Sequence, residues 1–225
     1  MELCSKCYKK SKPILILLLL LLVGCNNDTK VKQQVKSEKI QVKKSNLIQK
    51  PKAPELYIDI QPYEGLDDEL SKYIFKELSK VHPRVSMLPL ISLPKRAYYK
   101  PRNRYRADTL IYLQKNIAKP NHVILGLTHK DISTDNNNIY DWGVMGLGYQ
   151  PGNACVVSTF RLKKMNLKEQ FYKVAIHELG HTQGLDHCPD KTCLMTDAEG
   201  KNNTDNEKGF CEKCKSHLIK KGFNL

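Results

Sequence analysis

His177-Glu178-Leu179-Gly180-His181 sets two imidazoles four residues apart with a carboxylate between them, and no other feature limits the fold of this chain so strongly. Four residues are about one helical turn, so on a helix both rings point the same way and can hold one Zn2+, while Glu178 reaches a water bound to it. The series runs on through Gly184 to His187, completing HExxHxxGxxH. Glycine there lets the chain turn back, so that a third histidine closes a facial set of ligands. One coordination position stays open, which suits catalysis rather than scaffolding. The surrounding pattern agrees with a helix: Leu167, Phe171, Val174, Ala175 and Leu179 share an apolar face. Asn166 with Glu169 three positions on reads as a capping box. The helix should reach about Gln183 and stop at Gly184 in the left-handed conformation that glycine adopts cheaply.

Four cysteines follow at once. Cys188 is next to the third histidine, Cys193 lies five residues later, and Cys211 and Cys214 form a CxxC. They supply four thiolates for one tetrahedral structural zinc, or two disulfides if the chain meets an oxidising compartment. Cys155 is left over and reads as a buried, inert thiol in a strand. His82, His122, His129 and His217 lack ligand spacing and read as surface or loop residues.

Taken together, these residues resemble the archaemetzincins, a branch of the metzincin metallopeptidases. The resemblance rests on HExxHxxGxxH, on Met195 in Leu194-Met195-Thr196, and on the Cys-x4-Cys-x-Met run; it is specific over Ala175–Cys214 and looser over Leu56–Lys164. It implies a zinc peptidase with two Zn2+ per chain. His177, His181 and His187 would hold the catalytic ion, and Cys188, Cys193, Cys211 and Cys214 a structural ion beside it. Met195 would form the methionine turn, an apolar floor beneath the histidines. Glu178 would assist attack of zinc-bound water on a peptide carbonyl, with a peptide or protein substrate lying extended along an edge strand, for which Gly143–Gln150 is the candidate. The gap from Met195 to Cys211 is a couple of residues shorter than the usual family spacing, which bears on that loop. A catalytically silent, membrane-tethered scaffold held together by zinc is the alternative, and the presence of Glu178 argues against it.

The fold class expected is α/β: a metzincin-like zincin with a mixed sheet, the zinc-binding helix and a small cysteine-zinc C-terminal region. Leu56–Ile60 reads as a strand, Gly65–Lys80 as a helix and Val85–Leu93 as a strand, a β-α-β start. Tyr105–Asn116 reads as a second helix and His122–Leu127 as a strand. Trp142–Gln150, punctuated by glycine, reads as an irregular edge strand, and Ala154–Phe160 as another strand. A C-terminal helix is expected over Asn206–Lys221.

The N-terminus reads as an address. Residues 1–24 carry lysines at 6, 9, 10 and 12 and an unbroken apolar run from Ile14 to Val23, the layout of a signal peptide. Ten helical residues span about 15 Å, half of a hydrocarbon core, so a permanent span is the poorer reading. Leu22-Val23-Gly24-Cys25 resembles the bacterial lipobox, which makes Cys25 the lipidation site and first mature residue. The pair Cys4 and Cys7 lies in the part to be discarded. Removing residues 1–24 lowers the net charge from +14 to +11. Residues 25–54 form a Lys-rich tether, suited to an anionic membrane surface. Residues 55–225 form the peptidase domain. No nucleic-acid motif accompanies the charge, so no nucleic-acid partner is expected. The chain is then a monomeric, exported, membrane-anchored lipoprotein, and Asn26 after the cysteine resembles outer-membrane sorting in diderm bacteria.

Overall fold

A computed structural model describes residues 55–225; the signal peptide, Cys25 and the tether lie outside the described residues. In chain order the elements are β1 (Tyr57–Pro62), α1 (Asp68–Val81), β2 (Val85–Met87), β3 (Tyr98–Tyr99), β4 (Arg104–Arg106), α2 (Ala107–Ile117), β5 (His122–Thr128), β6 (Ile132–Asn136), β7 (Ile139–Val144), β8 (Gly146–Gly148), β9 (Ala154–Ser158), α3 (Leu167–Thr182) and α4 (Glu212–Lys220). They build a mixed α/β fold with two sheets. The larger runs β2-β1-β5-β9-β8, parallel except for the final β8-β9 pair, and the smaller runs β3-β4-β6-β7.

Period-two alternation decides which face of the large sheet meets which helix. Ile58, Ile60, Leu125, Leu127, Cys155 and Val157 point to one side and pack with Ile74 and Leu78 of α1 and Phe171, Ala175 and Leu179 of α3. Ala154 and Val156 point the other way, against Leu110 and Ile111 of α2. With both faces covered, β5 and β9 read as nearly continuous apolar runs. Cys155 is wholly buried, and desolvation holds its thiol well above the ordinary range.

Several elements depart from expectation, each for a visible reason. The strand expected over Val85–Leu93 ends at Met87, because Pro89 has no N–H to continue the ladder; the Gln61 side chain donates to the Pro89 carbonyl instead, at 2.7 Å. Trp142–Gln150 is not one strand but two in different sheets, with the crossing at Met145: β7 closes the small sheet, and β8 forms the edge of the large one. β6 completes a hairpin with β7 that sequence pattern did not reveal, its outer residues being polar.

The capping box does not form. Asn166 sits in the left-handed region at φ 57° and its side chain makes no cap hydrogen bond. Gln170 instead fixes the segment before the helix by reaching back to donate to the carbonyls of Met165 and Lys163, at 2.6 and 3.2 Å. Glu169 pairs with Lys173 instead, at 2.9 Å. The C-terminal helix begins at Glu212, not Asn206, because the preceding segment is drawn out to pair with the turn before Met195: the Leu194 N–H donates to the Gly209 carbonyl at 2.9 Å and the Lys208 N–H to that of Thr192 at 2.8 Å.

Three of the four histidines read as surface or loop residues lie instead in or at the end of regular elements. His82 caps α1, is 1% exposed and meets Phe223 edge-on. His122 lies on β5, its Nδ1 2.6 Å from an Asp59 carboxylate oxygen. His217 is on α4, with Nε2 2.9 Å from the Gln183 carbonyl. Only His129 keeps a loop position, beneath Gly65.

Candidate metal and catalytic centre

α3 carries His177, Glu178 and His181 on the side that faces β8. Its end is a Schellman turn: the Leu185 N–H donates to the Gly180 carbonyl at 3.1 Å and the Gly184 N–H to that of His181 at 2.9 Å, with Gly184 at φ 91°. This reversal brings His187 back over the helix. Its ring centroid lies 4.8 Å from that of His181 and 5.5 Å from that of His177. The three rings that the sequence pairs by spacing are thus brought together, with ligand atoms within 4.8 Å of one another.

The hydrogen bonds show what these rings expect. His177 Nδ1 is 2.6 Å from the Leu194 carbonyl and His181 Nδ1 is 2.8 Å from the Leu185 carbonyl. A carbonyl only accepts, so both protons sit on Nδ1 and the ring orientations are fixed. Burial lowers the His177 pKa to about 3 and that of His181 in the same direction, so both rings are neutral and each Nε2 bears a bare lone pair. Those two Nε2 atoms face each other at 3.0 Å. Two acceptors at this distance repel unless a cation lies between them, and about 3.3 Å is the edge expected for nitrogens about 2.0 Å from a tetrahedral zinc. The donor set fits the ion. His187 is the exposed member, with Nδ1 3.5 Å from an Asp197 carboxylate oxygen.

Glu178 is 6% exposed and has no hydrogen-bond or ion-pair partner among the described residues. Desolvation raises its carboxyl to about 8. The glycines of β8 make its position possible: a Cβ on Gly146 would come 2.5 Å from Glu178 Oε1, and one on Gly148 would come 2.7 Å from the Glu178 carbonyl oxygen. Met195 is fully buried under the helix, and a Cβ on Gly180 would lie 2.5 Å from its Sδ. The glycine inside HExxH therefore answers to the methionine. The Cys188 N–H donates to the Met195 carbonyl at 2.7 Å, which ties this turn to the cysteine cluster.

Cys188, Cys193, Cys211 and Cys214 also converge, with every Sγ within 4.8 Å of the others. None is in a disulfide. The Sγ atoms of Cys188 and Cys211 lie 3.7 Å apart, against about 2.05 Å for an S–S bond and about 3.8 Å for the edge of a tetrahedron with 2.3 Å Zn–S bonds. Backbone N–H groups of Cys211 and Met195 point at Cys193 Sγ from 3.3 and 3.5 Å. The Cys211 thiol is drawn down to about 7, chiefly by the Cys214 backbone N–H. Spacing of this kind favours one metal over two local disulfides.

A cleft of about 540 Å3 opens over the histidines between β7-β8 and the 196–207 loop. Sequence reasoning missed the two carbonyl locks, Asp197 and the loop wall, since each is a contact between segments with no shared periodicity.

Comparison with known proteins agrees with this geometry. The profile of Peptidase family M54 matches residues 57–221. The chain is 31% identical over 178 residues to the archaemetzincin of Methanocaldococcus jannaschii, covering 75% of this chain and 96% of the relative. It is 28% identical to that of Haloarcula marismortui, over 73% of this chain and all of the relative. Among solved structures, the archaemetzincin of Methanopyrus kandleri superposes with a TM-score of 0.63 at 27% identity, covering 76% of this chain and 97% of that one. The Archaeoglobus fulgidus archaemetzincin complexed with malonate does so with a TM-score of 0.61 at 28% identity, over 72% and 99%. The histidine-bearing helix, its glycine turn and the fold around them thus place this chain in Peptidase family M54, the archaemetzincins, and make it a zinc metallopeptidase.

Proposed function

We propose that peptide-bond hydrolysis by this chain runs through Glu178 as the proton-handling base, with His177, His181 and His187 as ligands of the catalytic zinc and the four cysteines as ligands of a second, structural zinc. The observation that carries this reading is the pair of opposed, unprotonated Nε2 atoms beside a buried carboxylate with no partner. Zinc, when bound there, supplies Lewis acidity toward water and a peptide carbonyl. The protein does the rest. Leu194 and Leu185 carbonyls hold two imidazoles in the ligating tautomer. Glu178, kept dry by Gly146 and Gly148, takes the proton of the attacking water and returns it to the leaving amine. β8, the free edge of the large sheet, offers backbone groups to an extended substrate strand. The decisive experiment is Glu178→Ala with metal analysis: zinc stays bound and hydrolysis disappears. Residual turnover would reject the assignment, and a count of two zinc ions per chain tests the cysteine site.

The same proposal extends to location. Cys25 carries lipid after removal of residues 1–24, and residues 25–54 hold the monomeric enzyme at the surface of the cell envelope, with the outer membrane of a diderm bacterium as the expected address. In the described residues no helix is long and apolar enough to cross a membrane. In this reading acyl chains on Cys25 supply the attachment, each buried methylene contributing about 0.8 kcal/mol. Cys25→Ser should move the protein from the membrane to the soluble fraction on cell fractionation; retention in the membrane would reject the tether.

A further inference from the structure

Where the cleft runs between α3 and the 196–207 loop, this pocket is lined by Lys173, Val174 and His177 on the helix and by Asn202, Thr204 and Glu207 on the loop. Since His177 is among them, a substrate residue next to the scissile bond can send its side chain there. The charges lining it are not equally free. Lys173 spends its three ammonium protons: Nζ lies 2.9 Å from the Thr204 carbonyl, 2.8 Å from the Glu207 carbonyl and 2.9 Å from the Glu169 carboxylate. Arg161 is held by both oxygens of Asp131, at 2.9 and 3.0 Å. Thr204 Oγ1 donates to the Asn202 side-chain oxygen, and the Asn202 amide donates in turn to Gln170. Lys201 is exposed at the rim, where solvent screens it.

The Glu207 carboxylate alone in this pocket is half-buried with neither hydrogen bond nor ion pair among the described residues. Lys173 holds the Glu207 backbone in place yet has no proton left for its side chain. We propose that Glu207 is a specificity-determining residue that accepts the ammonium or guanidinium of a substrate lysine or arginine lodged in this pocket. The inference rests on the α3 histidines being the catalytic centre. Burial pushes the Glu207 carboxyl up to about 7 against the weaker pull of the Lys173 charge, a cost that an arriving cation removes by pairing with the ionised form. A charge-assisted hydrogen bond of this kind gives about a ten- to hundredfold preference over an uncharged residue of similar length.

The test has two arms. In the first, the zinc-loaded enzyme cleaves a peptide mixture randomised on both sides of the scissile bond, and products are sequenced by mass spectrometry. Lysine and arginine should be enriched about ten- to hundredfold over methionine and glutamine at one position beside the cut. That ratio should fall to within about threefold in Glu207→Gln and reverse toward aspartate and glutamate in Glu207→Lys. In the second, the zinc-loaded Glu178→Gln protein binds labelled lysine and methionine peptides, read by fluorescence anisotropy, with and without Glu207→Gln. Thermal melting confirms that each variant folds. If the wild type cuts nothing while lysine-selective binding vanishes in Glu207→Gln, the catalytic assignment fails and Glu207 stands as a cation-accepting residue of the cleft without a role in cleavage specificity. Cleavage or binding whose lysine preference is absent, or survives Glu207→Gln, overturns the proposal.

Discussion

The histidine and cysteine clusters sit on opposite ends of one short segment, joined by the bond from the Cys188 N–H to the Met195 carbonyl, yet they are built for different ends. The cysteine cluster is closed on itself: four sulfurs lie within 4.8 Å of one another, and backbone N–H groups of Met195 and Cys211 point at Cys193 Sγ. The histidine cluster is left incomplete on one side, its third ring is exposed, and the adjacent carboxylate is buried without a partner. Affinity alone would not favour such an arrangement. A buried acid with nothing to pair with lowers stability, and its presence beside an open ligand set is what the proposed catalytic role of this cluster requires.

Glu178→Gln sharpens this contrast most. Hydrolysis should fall by about 10²- to 10⁴-fold, while the melting temperature at neutral pH rises, because the amide fills the same space and, unlike the acid, need not take up a proton on folding. Steady-state assays and calorimetry on one preparation check both halves. Cys193→Ser should act in the opposite sense. Loss of one zinc per chain and a fall of about 10 °C or more in melting temperature are expected, since several kcal/mol corresponds to about 2–4 °C each in a domain of this size. If the cysteine variant kept its stability but lost turnover, the division of labour would be wrong.

Gly148→Ala breaks the comparison at its hinge. Its Cβ would meet the Glu178 carbonyl oxygen at 2.7 Å, a backbone atom that cannot turn aside, so β8 must lift from α3. Activity should drop at least about tenfold, with a stability cost of about 1–3 kcal/mol by thermal melting. The smallest effect is one of pH on the zinc-free protein. Glu178 has a folded pKa of about 8, above its unfolded value of 4.5, so between these values the folded state holds a proton that the unfolded state has lost. Stability from this group therefore falls as pH rises through that window. His177, lowered to about 3, works the other way between that value and 6.5. Subtracting the melting curve of Glu178→Gln isolates the acid: the variant's advantage should grow from pH 4.5 toward pH 8, and a flat difference would show that Glu178 ionises normally.

Much of the functional centre was legible because its signals are local. Helical spacing alone aligns His177 with His181, and one glycine suffices to return His187, so the site could be drawn from residues close together in the chain. The parallel strands were legible where both faces are covered, as in β5 and β9, since apolar residues then run unbroken. The split of Trp142–Gln150 into β7 and β8 was not. Its glycines signalled irregularity without saying that two of them, Gly146 and Gly148, must clear Glu178. The start of α3 misled in a different way, because Asn166 takes the left-handed conformation and makes no cap bond, while Gln170 ties down the segment before the helix by donating to its carbonyls.

What the chain determined by itself was chemistry and its spacing: which residues can bind zinc, in what order, and on which face of a helix. Tertiary structure decided what those residues feel. The Leu194 carbonyl that sets a tautomer, the β8 backbone that dries Glu178, and the lysine that holds Glu207 in place without neutralising it all come from segments distant in sequence. Desolvation and hydrogen-bond direction depend on everything packed around a group, and no periodicity encodes that.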